Sequence, residues 1–338
     1  MMNKSNNLLF LMILIISVFI SISSTSWFTV WMGMEMNIMS FIPMILNQKN
    51  LNSKEASLTY FLVQTIASML LMMSIIIMMM NNNTNNMIMD NTGEMMLMSS
   101  LMMKSGISPF HFWLPKMMEG INWISCTILM TWQKIIPLMM LSNMMKINWI
   151  TVLAMILSIT IGAIGGLNQT SLRKLMAYSS ISNSAWMMMA MMISENMWMM
   201  YFMFYAAMTI TFTLTMNKNK IYYMNQLMSM NETTLTKFIL MMNMLSISGL
   251  PPMMGFLPKW LIIQSTMNLM QMFIVTVMVM LTLVTVYYYL RIMFSTMMLS
   301  NIEPKWNINN KINYKINMLL ATMSILGLTL ITMMTMLY

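Results

Sequence analysis

Four ionisable side chains lie inside apolar stretches of this sequence, where a charge is costly. Glu35 lies mid-span in the segment 31–37, and Lys104, Lys134 and Lys259 lie in runs dominated by Met, Leu and Ile. An unpaired charge at the centre of a bilayer costs at least ~2.5–3.5 kcal/mol, so such residues mark functional sites by default. Burial disfavours the charged form and a nearby opposite charge restores it. We therefore interpret these four residues as groups that take up and release protons.

Lys259 lies beside a break in its apolar segment. Residues 248–260 read Ser-Gly-Leu-Pro-Pro-Met-Met-Gly-Phe-Leu-Pro-Lys-Trp. Proline removes a backbone donor and glycine destabilises helix, so a membrane helix must break here. Broken backbone is tolerated in lipid only where it is buried in protein or lines a wet cavity. Lys259 is therefore predicted to face such a place.

Simpler explanations compete for some of the other residues. A lysine near the end of a span can extend to the headgroups, which accounts for Lys237 and leaves Lys116 open. Glu35 could form a static structural ion pair. Three interior lysines cannot all pair with one glutamate, which favours titrating groups. His111, whose imidazole has an ordinary pKa of about 6.5, could relay protons or could satisfy backbone groups freed at a break, and both readings stay open.

Composition sets the class of protein that must position these residues. Of 338 residues, 59% are hydrophobic and 7% charged, against about 25% charged in soluble domains. The chain is therefore predicted to be a polytopic membrane protein forming a single membrane domain, 1–338. One cysteine and one histidine exclude an internal disulfide and make haem or zinc ligation within the chain improbable. The charge of +9 comes without a basic run, which indicates a topology signal and not nucleic-acid binding.

Apolar runs long enough to cross a bilayer predict an all-α fold of about eleven transmembrane helices. They fall at 8–24, 27–46, 57–80, 95–117, 123–141, 149–167, 172–192, 197–216, 236–267, 271–294 and 317–337. Polar loops are expected at Asn47–Ala56, Asn81–Glu94, Asn217–Thr234 and Asn301–Ile316.

The distribution of basic residues between loops tests the predicted number of spans. With the N-terminal flank numbered zero, odd loops hold only Lys146, whereas even loops and their flanks hold Lys4, Lys49, Lys54, Lys116, Arg173, Lys174, Lys218, Lys220, Lys237, Arg291, Lys305, Lys311 and Lys315. One miscounted span would destroy that asymmetry. The positive-inside rule then places the N-terminus inside and the C-terminus outside.

The two broken spans are copies of one motif. Gly106-Ile107-Ser108-Pro109 followed by Leu114-Pro115-Lys116 matches Gly249-Leu250-Pro251-Pro252 followed by Leu257-Pro258-Lys259, at an offset of 249 − 106 = 143 residues. Five spans separate the copies, so they run in opposite directions through the membrane. Paired broken helices in inverted repeats are a transporter architecture. The sequence therefore predicts a pair of inverted repeats, each with one broken helix.

Several stretches resemble a known family in order along most of the chain. They are Gly33-Met34-Glu35-Met36-Asn37 with Phe41-Ile42-Pro43, Pro109-Phe110-His111-Phe112-Trp113-Leu114-Pro115, Thr131-Trp132-Gln133-Lys134, Asn168-Gln169-Thr170 through Leu172-Arg173-Lys174 and Ala177-Tyr178-Ser179-Ser180, and Gly249-Leu250-Pro251-Pro252 through Gly255-Phe256-Leu257-Pro258-Lys259-Trp260. The sequence resembles the mitochondrially encoded chain 2 family of NADH:ubiquinone oxidoreductase (respiratory complex I), in its insect or other invertebrate forms. The excess of Met, 62 residues, agrees with an AT-rich organellar genome.

The resemblance implies an antiporter-like subunit of the membrane arm, in the mitochondrial inner membrane. It also implies two inverted five-helix repeats, which here are 8–141 and 149–295, followed by a C-terminal transmembrane helix, 317–337. By motif, Glu35 and Lys104 match the family's glutamate–lysine pair, Lys134 its central lysine and Lys259 the lysine of the second half-channel. No redox cofactor is expected in this chain, and FMN, iron–sulfur clusters, NADH and ubiquinone belong to other subunits. The partners implied are other membrane-arm and accessory subunits and phospholipids, including cardiolipin, with no nucleic acid.

The function predicted is proton translocation from matrix to intermembrane space along Glu35, Lys104, Lys134 and Lys259. Redox chemistry elsewhere in the complex, from NADH to ubiquinone, would drive it. A stand-alone cation/proton antiporter would share the lysine pattern, and a purely structural bridging subunit would not need it to titrate. Both remain alternatives at this stage.

Overall fold

A computed structural model describes residues 4–47, 50–81, 87–229, 234–251, 253–266 and 271–298, with backbone only at 4–5, 81, 87–91 and 234–236. Helices form most of these described residues. The helices are α1 Lys4–Ile22, α2 Trp27–Ile45, α3 Leu51–Asn81, α4 Met87–Ser105, α5 Trp113–Gly120, α6 Trp123–Met130, α7 Trp132–Met144, α8 Trp149–Gly166, α9 Leu172–Ile193, α10 Glu195–Asn219, α11 Met224–Met228, α12 Thr234–Ser248, α13 Phe256–Thr266 and α14 Met272–Met298. Within those ranges the β-structure is one isolated bridge, between Ser171 and Tyr223.

Five segments within the described ranges are helical, long and apolar enough to cross a membrane. They are Leu51–Met80, Trp123–Met144, Trp149–Gly166, Glu195–Asn219 and Met272–Met298, and Asn6–Ile22 and Lys237–Ser248 are shorter apolar helices. Each predicted span from 8 to 294 coincides with a helix or a pair of helices. The span predicted at 317–337 and the loop predicted at Asn301–Ile316 lie outside the described residues.

The loops predicted from polarity were too long. Helix α3 already begins at Leu51, α4 begins at Met87, and the stretch expected as the loop Asn217–Thr234 contains α11. Polarity marks where a helix leaves the bilayer, but backbone hydrogen bonding continues beyond that point because it does not require lipid. The predicted span 123–141 is likewise two helices, since α6 ends at Met130 and α7 begins at Trp132.

Both predicted helix breaks are present, and the helix before each break ends in the same type of cap. Gly106 follows α4 at φ 74° and Gly249 follows α12 at φ 81°, a left-handed conformation that glycine adopts without a Cβ penalty. Ile107 N donates to Met102 O at 3.0 Å and Leu250 N to Leu245 O at 3.5 Å. These bonds, with those from each glycine N to the carbonyl three residues back, define a Schellman cap.

The chain clusters into two units, Met1–Ala154 (unit 1) and Met155–Tyr338 (unit 2). In unit 1, α2 packs between α1 and α3, α3 packs on α4 and α5, and α7 packs on α4, α6 and α1. This arrangement surrounds the C-terminal end of α4 with helices. The inverted repeats 8–141 and 149–295 themselves stay a prediction.

In unit 2, α9 is the buried helix. Residues 175–191 of α9 are buried except Tyr178, although they include Ser179, Ser180 and Asn183. A helix enclosed by protein can carry such polar groups because its neighbours satisfy them. Gly162 of α8 permits close approach of the two helices, since a Cβ there would lie 2.8 Å from Ser182 N of α9. Small residues at helix interfaces allow such close packing in membrane proteins.

Candidate functional site

Two of the predicted lysines line one cavity in unit 1. The cavity measures about 30 Å³, which is room for about two water molecules at roughly 15 Å³ each. Its polar lining consists of Asn37, Tyr60, Gln64, Lys104, Ser105, Gln133 and Lys134, and its apolar lining of Met34, Ile38, Trp113, Leu114, Leu129, Ile136 and Pro137. We call this space the lysine cavity. It brings together residues from α2, α3, α4, α5, α6 and α7.

Lys104 reaches the cavity because α4 ends immediately after it. The residue lies in the last turn of α4, where a cation interacts favourably with the helix dipole. Its side chain is 7% exposed, and Nζ lies 3.2 Å from Met34 Sδ. The carbonyl of Lys104 accepts from Gln64 Nε2 at 3.3 Å. A neighbouring amide therefore satisfies the backbone that the break frees, while the ammonium faces the cavity.

Lys134 reaches the same cavity from the other side. It lies in the first turn of α7, just after the interruption at Thr131, and is 3% exposed. Two like charges beside one small cavity disfavour simultaneous ionisation. The two amines therefore favour holding one ionising proton between them over holding two. A neutral amine is then available to accept the next proton.

Neutral polar groups form a hydrogen-bonded chain beside the lysines. Gln133 Nε2 donates to Asn37 Oδ1 at 2.9 Å, and Tyr60 Oη donates to Gln133 Oε1 at 3.3 Å. Sequence reasoning assigned no role to Asn37, Tyr60, Gln64 or Gln133. The available signal was position: Asn37 follows Glu35 by two residues, and Gln133 adjoins Lys134.

Glu35 does not form an ion pair with Lys104 in this structure. Within the described ranges, the one salt bridge within 4 Å joins Lys146 and Glu94 at 2.9 Å. Glu35 lies close enough to Lys104 and Tyr60 for its charge to act on both. Its Oε1 is buried without a hydrogen-bond partner. The pairing of Glu35 with Lys104 therefore stays a prediction.

His111 contacts the backbone of the first break. Its side chain is 5% exposed, and Nδ1 lies 3.2 Å from Pro109 O. His111 is not among the residues that line the lysine cavity. Of the two readings left open by the sequence, this geometry favours the one in which the imidazole serves backbone groups at the break. Lys116 is exposed.

Lys259 is buried in unit 2 beside the second break. Its side chain is 8% exposed, and Nζ donates to Ser248 O, the last residue of α12, at 2.8 Å. A Cβ added to Gly249 would lie 2.9 Å from Nζ. The ammonium therefore closes the C-terminal end of the broken helix. The prediction that Lys259 lies at the break is confirmed, and its capping contact was not foreseen.

A family model described as NADH:quinone oxidoreductase/Mrp antiporter, transmembrane, matches residues 24–285. The chain is 43% identical over 337 residues to the protein named NADH-ubiquinone oxidoreductase chain 2 of Anopheles gambiae, covering 98% of each chain. It is 48% identical over 337 residues to the protein of that name from Aedes aegypti, again covering 98% of each.

Solved structures share the fold at low sequence identity. A chain of respiratory complex I from Thermus thermophilus, determined with bound aureothin, superposes with a TM-score of 0.80 at 19% identity, over 96% of this chain and 78% of that one. A structural likeness at this sequence identity shows that the fold is shared, but it does not show the roles of individual residues.

Proposed function

The chain belongs to the NADH:quinone oxidoreductase/Mrp antiporter family, and we propose that it translocates protons as a membrane-arm subunit of respiratory complex I. The observation that carries the proposal is the lysine cavity. It places two buried amines and a chain of neutral hydrogen-bonding groups around a space large enough for water. Stability does not require such a space in a bilayer protein, because a charge within the membrane is costly.

Protons would pass along Glu35, Lys104, Lys134 and Lys259. A neutral lysine accepts a proton from water and returns it when its surroundings change. For Lys104 the changing group is Glu35, which lies near it without touching it. Movement of the carboxylate into contact would favour the ammonium, and withdrawal would favour release. Lys134 then receives the proton across the cavity.

The membrane setting follows from the same reading. The chain would form eleven spans in the mitochondrial inner membrane, arranged as two inverted five-helix repeats and a C-terminal helix. Its N-terminus would face the matrix and its C-terminus the intermembrane space. Neighbouring membrane-arm and accessory subunits and phospholipids such as cardiolipin would surround it. Electron transfer through FMN and iron–sulfur clusters to ubiquinone would take place in other subunits, with no redox centre in this chain.

The decisive variant is Lys134→Met in the assembled complex, because methionine keeps the volume and removes the proton site. NADH oxidation and proton uptake would be measured together in sealed membrane vesicles. We expect fewer protons per NADH, with the complex still assembled. Lys54→Met, at an exposed position of α3, is the matched control. A normal ratio in fully assembled Lys134→Met complex would rule out the path as drawn.

A cation/proton antiporter is the second candidate, because the matching family description includes Mrp antiporters. The same vesicles distinguish the two. Proton movement that requires sodium and continues without NADH would favour the antiporter. Normal coupling in a variant lacking Lys104, Lys134 and Lys259 would favour a structural bridging subunit.

A further inference from the structure

Gln133 lies at the centre of a set of neutral side chains that line the lysine cavity. Its Oε1 accepts from Tyr60 Oη at 3.3 Å, and its Nε2 donates to Asn37 Oδ1 at 2.9 Å. The three side chains belong to α7, α3 and α2 respectively. Helix α7 packs mainly on α1, α4 and α6. The Gln133 amide therefore gives the start of α7 a further link, to α2 and α3.

Both ends of the Gln133 amide are engaged. A glutamine side chain offers one carbonyl oxygen and one NH₂ group, and here a different helix bonds to each of them. If this amide alone turned over, its oxygen would face Asn37 Oδ1, and two acceptors would oppose each other. Asn37 and Tyr60 are buried, so bulk water does not compete for these bonds. Gln133 is thus held in one orientation immediately before Lys134 in the chain.

Aromatic packing holds the Tyr60 ring in place. Its centroid lies 5.4 Å from that of Phe41 on α2 and 6.0 Å from that of Trp113 on α5, with interplanar angles of 75° and 56°. Aromatic pairs favour edge-to-face and offset arrangements at such separations. Packing therefore fixes the phenol, and its hydroxyl group in turn fixes the amide of Gln133.

Helix α3 extends the set to Lys104. Gln64 follows Tyr60 by four residues, which places both on one face of α3, and both line the cavity. Gln64 Nε2 donates to Lys104 O at 3.3 Å. One helix thus bonds to the C-terminal end of α4 through Gln64 and to the start of α7 through Tyr60. We call Asn37, Tyr60, Gln64 and Gln133 the neutral frame.

The bonds of the neutral frame do not depend on the charge of either lysine. Each joins an amide or hydroxyl donor to a neutral oxygen. A lysine that was held in place by an ion pair would lose that contact whenever it gave up its proton, whereas amide and hydroxyl groups keep their bonds. A functional site needs such support, because packing and hydrogen bonds around it must fix its geometry.

We propose that Gln133 is a positioning residue for Lys134, and that the neutral frame sets the distance between the two amines of the lysine cavity. This role rests on the function proposed above. Like charges held close together disfavour simultaneous ionisation, and that cost falls as they move apart. If the start of α7 could shift away from the end of α4, both amines would keep their protons and neither would pass one on. Gln133 itself neither gains nor loses a proton.

The first test is Gln133→Met in the assembled complex, because methionine is similar in length and removes both amide groups. NADH oxidation and proton uptake are measured together in sealed membrane vesicles. We expect fewer protons per NADH and a shifted pH dependence of that ratio. The matched control is Gln169→Met, since the Gln169 amide donates locally to Gly165 O and lies outside the lysine cavity. Its ratio and pH dependence should stay normal.

Variants that remove one bond at a time grade the effect. Tyr60→Phe removes the donor to Gln133 Oε1 and keeps the ring, and Asn37→Leu removes the acceptor of Nε2. Each should lower the proton ratio less than Gln133→Met does. The two together should match Gln133→Met, because all of them act through one amide.

Combining Gln133→Met with Lys134→Met separates positioning from general support of the fold. Because Gln133 acts through Lys134, the combined variant should pump no worse than Lys134→Met alone. A further loss of protons per NADH would show that Gln133 acts elsewhere, and it would overturn the assignment. A purely structural Gln133 would lower the thermal midpoint of Gln133→Met and leave the ratio and its pH dependence normal, which would also overturn it.

The outcomes also separate this role from the function on which it rests. If Lys134→Met lowers the ratio and Gln133→Met does not, the positioning role alone is wrong. If both variants pump normally, the proposed lysine path itself fails. If Gln133→Met does not assemble, Tyr60→Phe decides, because it removes a single hydroxyl group, and a normal ratio there overturns the positioning role.

Discussion

The two helix breaks begin with the same type of cap and use their lysines differently. Both end in a Schellman cap on a left-handed glycine, Gly106 and Gly249. At the first break neutral donors satisfy the freed carbonyls, since Trp113 Nε1 donates to Met103 O at 3.2 Å and Gln64 Nε2 to Lys104 O. At the second break the donor is the ammonium of Lys259.

In unit 1 different residues cap the helix end and carry the titrating amine, whereas in unit 2 Lys259 does both. Lys104 can change its protonation without altering the cap of α4, because the cap does not depend on it. Lys259 loses a charge-assisted hydrogen bond when it releases its proton, and such bonds are about twice as strong as neutral ones. The neutral amine still donates an N–H, so the cap weakens and is not lost. Deprotonation at the second break is therefore coupled to the structure of the break.

The largest expected effect is that of Gly255→Ala. A Cβ at this position would overlap Ser246 O of the α12 end, and a backbone carbonyl cannot rotate away as a side chain can. Overpacking costs typically ~1–3 kcal/mol and occasionally more, and we expect the upper end or beyond. The readout is the amount of assembled complex. Gly93→Ala, whose Cβ would meet the flexible Met78 side chain at 3.0 Å, should assemble; equal loss in both variants would contradict this account.

Lys259→Met should destabilise the protein and Lys104→Met should not. The first variant leaves Ser248 O buried without its donor, at about 1–3 kcal/mol. The second exchanges a buried ammonium for a thioether beside Met34, which removes a desolvated charge and no backbone partner. Thermal unfolding of the assembled complex would show a lower midpoint for Lys259→Met only. Equal midpoints would mean that the two lysines do not differ as caps.

Trp113→Phe should have a smaller effect than Lys259→Met. It removes the indole donor to Met103 O, but that carbonyl still accepts from Gly106 N at 3.3 Å. We expect a loss of about 1 kcal/mol, the net value of a typical hydrogen bond. The thermal midpoint measures it, and a drop exceeding that of Lys259→Met would show that the neutral cap is the stronger one.

The smallest effect should come from Lys116→Met. By the repeated motif Lys116 corresponds to Lys259, yet it is exposed. Surface substitutions usually stay within about ±0.5 kcal/mol, and no change in protons per NADH is expected. A pumping defect here would mean that the two copies of the motif are functionally equivalent after all.

Sequence reasoning reached the breaks and the buried lysines because both leave strong local signals. Glycine and proline within an apolar run predict a broken helix wherever they occur, and a lysine among methionines is costly to bury in any fold. The interruption at Thr131 carries neither signal and was missed. The hydrogen-bonded series Asn37, Gln133 and Tyr60 was missed as well. Single neutral polar residues give little hydropathy signal in a sequence rich in Asn and Ser.

The sequence by itself therefore determined where the membrane helices break, which charges lie inside them and that the two breaks are related. Only the tertiary structure decided what each charge contacts. Whether a lysine faces a cavity or a carbonyl depends on the rotation of its helix and on which neighbour supplies a competing donor. At Lys104 that neighbour is Gln64 from α3, forty residues away in sequence, and at the second break the donor to Ser248 O is Lys259 itself. Contacts between helices fix these partners, and a local pattern does not encode them.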